Sequence, residues 1–160
     1  MAGIRGKDTK PEITIRKLLH GAGFRFRLHS SVLPGKPDLI LPRHRVAIFV
    51  HGCYWHGHDC HLFRLPATRR EFWRKKIDRN RMRDREVRDL ILEKEFRHLT
   101  VWECALRGKT RREHGDLLEL MSGWISGSES TGEIRGTCTT PTIFSSSDCK
   151  DIITRKGRRI

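Results

Sequence analysis

The stretch His51-Gly52-Cys53-Tyr54-Trp55-His56-Gly57-His58-Asp59-Cys60-His61 constrains this chain more than any other feature. It sets two thiols and four imidazoles into eleven positions, with neither helical nor strand periodicity. So polar a segment has little core of its own, and a bound ion is the expected source of its order. Thiolate and imidazole donors in a tetrahedral shell are the usual set for zinc. Cys53 and Cys60 share the loop, and Cys104, directly after a predicted strand, is the natural remote ligand that ties the loop to a sheet. Coordination chemistry therefore favours Cys53, His58, Cys60 and Cys104, a closed shell and so a structural zinc. Spacing alone does not separate His58 from His56 or His61, and an ion with three protein ligands and a water is the other arrangement.

The flanking pattern supplies elements for that loop to dock on. Thr9 can cap a helix from Lys10 to His20, with Pro11 in its first turn and Ile15, Leu18 and Leu19 on its apolar face. Phe24-Arg25-Phe26-Arg27-Leu28 alternates as a half-buried strand does, and Asp38-Leu39-Ile40-Leu41 follows the turn Pro34–Pro37. Val46-Ala47-Ile48-Phe49-Val50 is a continuous apolar run that suits a strand covered on both faces. A long or broken charged helix is expected over Glu71–Phe96, with Phe72, Ile77, Val87, Leu90, Ile91 and Leu92 inward. Leu99–Trp102 reads as a further strand and Leu117–Ile125 as a last helix. The order predicts an α/β domain with a mixed sheet over residues 1–126. Ser, Thr and Gly dominate 127–160, which predicts a flexible tail in which Cys138 and Cys149 are incidental.

Charge narrows the partner. Lys and Arg number 33 against 19 for Asp and Glu, a net +14, and the tail contributes little of it. Such a field favours a polyanion, nucleic acid above all. With no long apolar run and no secretory signal, a membrane partner is not expected, and five cysteines without such a signal argue for a reducing compartment rather than a disulfide framework.

Pro37-Asp38 opens a strand, and Glu12 sits on the helix before it. Nucleases often hold magnesium on a carboxylate at a strand end, because the hard ion takes oxygen ligands and shares them with phosphate. The common continuation, a second acid and a lysine on the next strand, is missing from Ala47–His51. The backbone carbonyl of Val50 could replace the acid, and His51 or His56 the lysine. A turn aspartate and an exposed first-turn glutamate are the plainer readings of Asp38 and Glu12.

Five segments raise the sharper reading. Gly6–Glu12, Leu33–Asp38, Phe49–Cys60, Ala67–Trp73 and Val101–Gly108, in this order and spacing, resemble the very-short-patch repair (Vsr) endonuclease family over most of residues 1–108. The His-Gly-Cys-aromatic-Trp-His and Trp-Glu-Cys-Ala-Leu-Arg-Gly stretches are its most specific parts. The resemblance implies a restriction-endonuclease-like fold with a structural zinc loop. It implies magnesium-dependent nicking of the thymine strand at T·G mismatches left by deamination of 5-methylcytosine. Asp38 resembles the essential magnesium ligand, His56 the catalytic histidine, His51 an assisting histidine, Glu12 a nearby acid and Asp84 an acid that orients His56. The zinc set implied is again Cys53, His58, Cys60 and Cys104. Tyr54, Trp55 and Trp73 match aromatics that wedge into the stack beside the mismatch, with tyrosine where phenylalanine is more usual at 54.

Arg69, Arg70, Lys75 and Lys76 belong to a basic run that would serve phosphates. An N-terminal arm that would clamp DNA is short here, with Met1 and Ile4 as its expected contacts. The setting implied is the bacterial cytoplasm, at the nucleoid, as a monomer, with mismatch-repair proteins as further partners. Two other readings stand beside this one: a zinc-stabilised DNA-binding module without catalysis, and a nuclease of the same fold with relaxed specificity.

Overall fold

The computed structural model describes residues 8–137 and the backbone of 152–155. Met1, Ile4, Cys138 and Cys149 lie outside the described residues. The α-helices and strands of the described residues are, in chain order, α1 (Lys10–Gly21), β1 (Arg27–Leu28), β2 (Leu39–Leu41), β3 (Val46–His51), α2 (Arg70–Glu93), β4 (Arg97–Trp102), α3 (His114–Ser126), β5 (Thr131–Ile134) and β6 (Ile152–Arg155). The strands form one six-stranded sheet in chain order. β1, β2 and β3 are antiparallel neighbours, β3, β4 and β5 run parallel, and β6 returns antiparallel to β5. The mixed α/β sheet expected from the sequence is therefore present.

Each face of the sheet is closed by helices. Ile15 and Leu19 of α1 and Leu117, Met121, Trp124 and Ile125 of α3 pack on Leu39, Leu41, Val46, Ile48, Leu99, Val101 and Ile134. On the other face Ile91 and Val87 of α2 meet Leu33, Ile40, Ala47, Phe49 and Phe96. Alternation of side chains along a strand then decides what α2 looks down upon. The parity of Ile40, Ala47 and Phe49 is shared by Asp38, His51, His98, Thr100, Trp102 and Glu133. The polar and aromatic residues of the sheet are thus gathered under one helix.

Four expectations are corrected. The strand expected over Phe24–Leu28 pairs only at Arg27–Leu28; Phe24 and Phe26 still pack on the core, and Leu28 is exposed. α2 is one unbroken helix of 24 residues, in which Phe72 and Leu90 face solvent rather than the core. Its inward stripe is Trp73, Ile77, Asn80, Asp84, Val87 and Ile91, spaced at the helical period. Counting apolar residues missed the polar half of that stripe. The last helix starts at His114, three residues before the expected Leu117.

The fourth concerns only Thr131–Ile134 and the backbone of Ile152–Arg155, which join the sheet as β5 and β6 within the stretch expected to be a tail. The turn into β5 is tied down by Arg97, whose guanidinium donates to the carbonyls of Trp124 (2.6 Å), Ile125 (2.8 Å) and Glu129 (2.8 Å). It thereby satisfies the C-terminal carbonyls of α3. Gly132 reads as a loop residue, yet a Cβ there would lie 2.3 Å from Trp124 Nε1, so the glycine admits the Trp124 ring.

Candidate active site and metal centre

Asp38 stands at the head of β2, and its Oδ2 accepts a 2.7 Å hydrogen bond from the Val50 amide of β3. Burial, with help from the Glu12 charge, pushes its carboxyl up to about 6, against the pull of the Val50 amide, His29 and Arg16. A carboxylate fixed by one oxygen leaves the other for a cation. Asp38 and Val50 line a cleft of about 820 Å³, together with Glu12, His51, Trp55, His56 and Asp84.

The histidines form a pair. His51 ends β3 and His56 comes from the loop, and their rings stack at 3.9 Å with an interplanar angle of 4°. His56 Nδ1 lies 2.5 Å from Asp84 Oδ2 on α2. A carboxylate there accepts a hydrogen bond from Nδ1–H and leaves Nε2 as the basic nitrogen. His51 is held well below its ordinary value by burial, with His56 and His98 adding to the effect, so it is neutral at pH 7. The loop is pinned to α2 by Asn80, donating to the Trp55 carbonyl at 2.8 Å, and by Arg81, donating to the carbonyls of His56 and Gly57. Gly57 has φ +59°, and a Cβ there would meet Ile77 Cγ2 at 2.5 Å, so His56 can approach α2 only with glycine beside it.

Glu12 is buried rather than exposed. It braces the N-cap of α1: Thr9 Oγ1 donates to Oε1 at 2.8 Å and the Asp8 amide to Oε2 at 3.0 Å. Arg16 pairs with Glu12 (3.1 Å) and Asp8 (2.5 Å), and its Nη2 lies 2.9 Å from His29 Nε2. Glu12 is therefore part of the cleft wall and ties Asp8 and Thr9 to the first turns of α1.

The Cys/His group is the second centre. The ligand atoms of Cys53, His58, Cys60 and Cys104 all lie within 4.8 Å of one another, and His58 Nδ1 is 3.5 Å from Cys53 Sγ and 3.6 Å from Cys104 Sγ. A tetrahedral ion with bonds of about 2.3 Å to sulfur and about 2.05 Å to nitrogen spaces those atoms about 3.6 Å apart. The four residues could hold a metal ion. The Cys53 thiol holds Cys104 below its ordinary value, while Cys104 drives Cys53 up. His61 faces Thr110 Oγ1 at 3.4 Å and lies outside this group. Among the described residues Asp38 joins no compact group of His, Cys and carboxylate ligands, so a cation on it would draw on backbone, water and phosphate oxygens.

Tyr54, Trp55 and Trp73 cluster at the cleft mouth, with centroids 5.2 to 6.1 Å apart. Lys76 Nζ sits 5.3 Å over both tryptophans. Arg69, Arg70 and Lys75 lie exposed at the start of α2, and Arg69 covers the exposed Phe72 ring.

Several residues escaped the sequence reading. His98, stacked on Phe49 and pushed down to about 4 chiefly by burial, lines the cleft. Glu103 accepts from the Cys53 amide at 3.1 Å and pairs with Arg107 at 2.6 Å. Asn80 could have been found by extending the inward stripe of α2 through its polar positions.

Residues 1–62 match the family model for the DNA mismatch endonuclease Vsr. Over 134 residues the chain is 43% identical to the DNA mismatch endonuclease Vsr of Escherichia coli, a match that spans 84% of this chain and 86% of that protein. It is 45% identical over 106 residues to the type II nicking enzyme V.XorIIP of Xanthomonas oryzae, covering 66% of this chain and 78% of the relative. A type II nicking enzyme of Neisseria meningitidis, V.NmeAIP, is 38% identical over 109 residues, covering 68% and 78%. With a relative 43% identical over most of both chains and a family model that matches residues 1–62, this endonuclease belongs to the Vsr family.

Proposed function

We propose that this endonuclease uses magnesium to nick the thymine strand of T·G mismatches arising from 5-methylcytosine deamination. The observation that carries the reading is the convergence of Asp38, His51 and the His56–Asp84 pair in one cleft lined by Tyr54 and Trp55, with Trp73 packed against both rings. Asp38 and the Val50 carbonyl would hold the magnesium, which when bound neutralises phosphate charge and steadies the leaving 3′ oxygen. His56 takes the proton of the attacking water at Nε2, since Asp84 holds Nδ1. His51, neutral and stacked on His56, keeps that ring in place without adding a second charge. Glu12 raises the local negative potential at Asp38 and holds the start of α1 against the cleft.

Cys53, His58, Cys60 and Cys104 would hold a structural zinc, the ion best matched to three sulfurs and one nitrogen. The mixed sheet and the family together support a restriction-endonuclease-like fold. Tyr54, Trp55 and Trp73 would wedge into the base stack, which costs least where pairing is already weak. Arg69, Arg70, Lys75 and Lys76 would position the duplex through its phosphates. One set of Asp38, His51 and His56 per chain suits nicking of one strand by a monomer, and the reading extends to the bacterial cytoplasm, the nucleoid and contact with mismatch-repair proteins. No helix among the described residues is long and apolar enough to cross a membrane.

The test is Asp38→Ala and His56→Ala on a labelled T·G duplex with magnesium. Loss of nicking with zinc content and duplex binding retained is expected; retained nicking by either variant contradicts the assignment. A nuclease with relaxed specificity is the second reading, since other relatives are named as nicking enzymes without mention of a mismatch. It predicts equal cutting of a T·A control.

A further inference from the structure

Trp102 touches both centres. One face of its indole stacks on His58 at 4.1 Å and 10°. Its edge meets His51 at 5.4 Å and 72°, and His56 at 6.3 Å and 73°. His51 and Trp102 are register partners on the parallel strands β3 and β4, so their contact is set by backbone pairing. The loop that carries His56 and His58 lies outside the strand ladder; Asn80 and Arg81 hold its backbone to α2, and both those imidazoles lie against the Trp102 ring.

A ring in such a block can still slide and tilt unless its polar edge is held. The Trp102 indole N–H donates to Glu133 Oε2 at 3.2 Å, and Glu133 comes from β5, the strand that the sequence reading left in a tail. Glu133 shares its sheet face with Trp102 and lies one strand away, where it is half-buried. A carboxylate accepting from the indole fixes the ring's rotation about its long axis. That rotation decides where the edge presses on His51 and His56.

We propose that Trp102, held by Glu133, is a positioning residue that couples the Cys/His centre to the His51–His56 pair. β5 is thereby part of the catalytic apparatus, although no β5 side chain needs to reach the substrate. The proposal rests on the reading of His51 and His56 given above.

Three variants of the full chain test it: Glu133→Gln, Glu133→Leu and Trp102→Phe. Single-turnover nicking of a T·G duplex separates the maximal rate from the half-saturating concentration. Zinc content is measured per chain, and ¹³C-labelled histidine ring signals report the packing without any reaction. In Glu133→Leu the maximal rate falls roughly tenfold or more, as small misplacements of a catalytic group do. The half-saturating concentration stays within about twofold, zinc stays at one per chain, and the His51, His56 and His58 signals shift. Glu133→Gln, whose amide oxygen still accepts from the indole, recovers most of the rate. Trp102→Phe, which keeps a ring but loses the N–H, behaves like Glu133→Leu.

Unchanged histidine signals in Glu133→Leu would overturn the proposal. So would equal losses of rate and zinc in the Gln and Leu variants, which indicate a merely structural role. Should the wild-type protein fail to nick the mismatch, the functional reading falls, while the histidine signals still decide the coupling.

Discussion

Asp38→Asn should stabilise the magnesium-free protein while abolishing its activity. The Asp38 carboxyl titrates at about 6 in the fold against 3.8 for the ordinary group, chiefly because it is buried and then because Glu12 lies near. The folded state therefore holds the proton more tightly than the unfolded chain. Its advantage is complete below about 4, is lost as pH rises through about 6, and leaves a charged, poorly solvated carboxylate above that. At about 1.4 kcal/mol per pH unit the gap corresponds to at most about 3 kcal/mol, and residual solvent contact reduces it to roughly 1–2 kcal/mol. Asparagine keeps an oxygen to accept from the Val50 amide and removes the charge. For a chain of this size that means a melting temperature higher by roughly 2–8 °C at pH 7.5 and little changed at pH 4.5. The assay is thermal unfolding by circular dichroism in magnesium-free buffer, without a chelator so that the Cys/His centre keeps its metal. Adding magnesium should then raise the melting temperature of the wild type and not of the variant. An Asn variant that melts at or below the wild type at pH 7.5, or a gap independent of pH, would refute the reasoning.

The same titration gives a rate prediction: nicking should rise with pH through about 6 as Asp38 loses its proton and becomes able to hold a cation, and a profile flat from pH 5 to 7 would contradict it. Asp84→Asn should cost roughly 10²–10⁴ in rate with duplex binding intact, because the amide no longer fixes the His56 tautomer; single-turnover kinetics and a binding titration check it. Cys104→Ser should lose zinc and melt far below the wild type, measured by metal analysis and thermal unfolding, since the ligand joins the loop to the end of β4. Trp55→Ala should weaken binding to a mismatched duplex by about 1–3 kcal/mol through loss of a stacking face, read by fluorescence anisotropy at fixed salt. Equal binding by Trp55→Ala would restrict that ring to packing inside the protein.

Local chemistry made the centre of this fold legible in the sequence. β3 shows as an uninterrupted apolar run because both its faces are covered. The Cys/His loop shows because ligands cluster only where something binds them. Asp38 stands out less, as a strand-head acid whose importance depends on burial that no local pattern reveals. What stayed hidden is non-local. β5 offers one large apolar side chain, Ile134, and its order comes from pairing with β4 and from the Arg97 contacts with α3 and the turn beyond it. Phe72 was expected in the core because it is apolar, yet the stripe that packs runs through Trp73, Asn80 and Asp84, where the helix faces a polar cleft. Glu12 was expected at the surface or as an acid near the active site; its bonds to Asp8 and Thr9 and its pair with Arg16 depend on how the chain enters α1. Glu103, His98 and Glu133 act through partners up to fifty residues away, which one-dimensional spacing does not encode.

The most direct test of the account is a duplex with one T·G mismatch in a cytosine-methylation site, 5′-labelled on the thymine strand, beside its T·A counterpart. Incubated with the wild-type protein and magnesium, the mismatched duplex should be nicked on the thymine strand, and the paired duplex and the guanine strand should stay whole. Cutting of both duplexes alike would contradict mismatch recognition, and binding without a nick would contradict the assignment of Asp38 and His56.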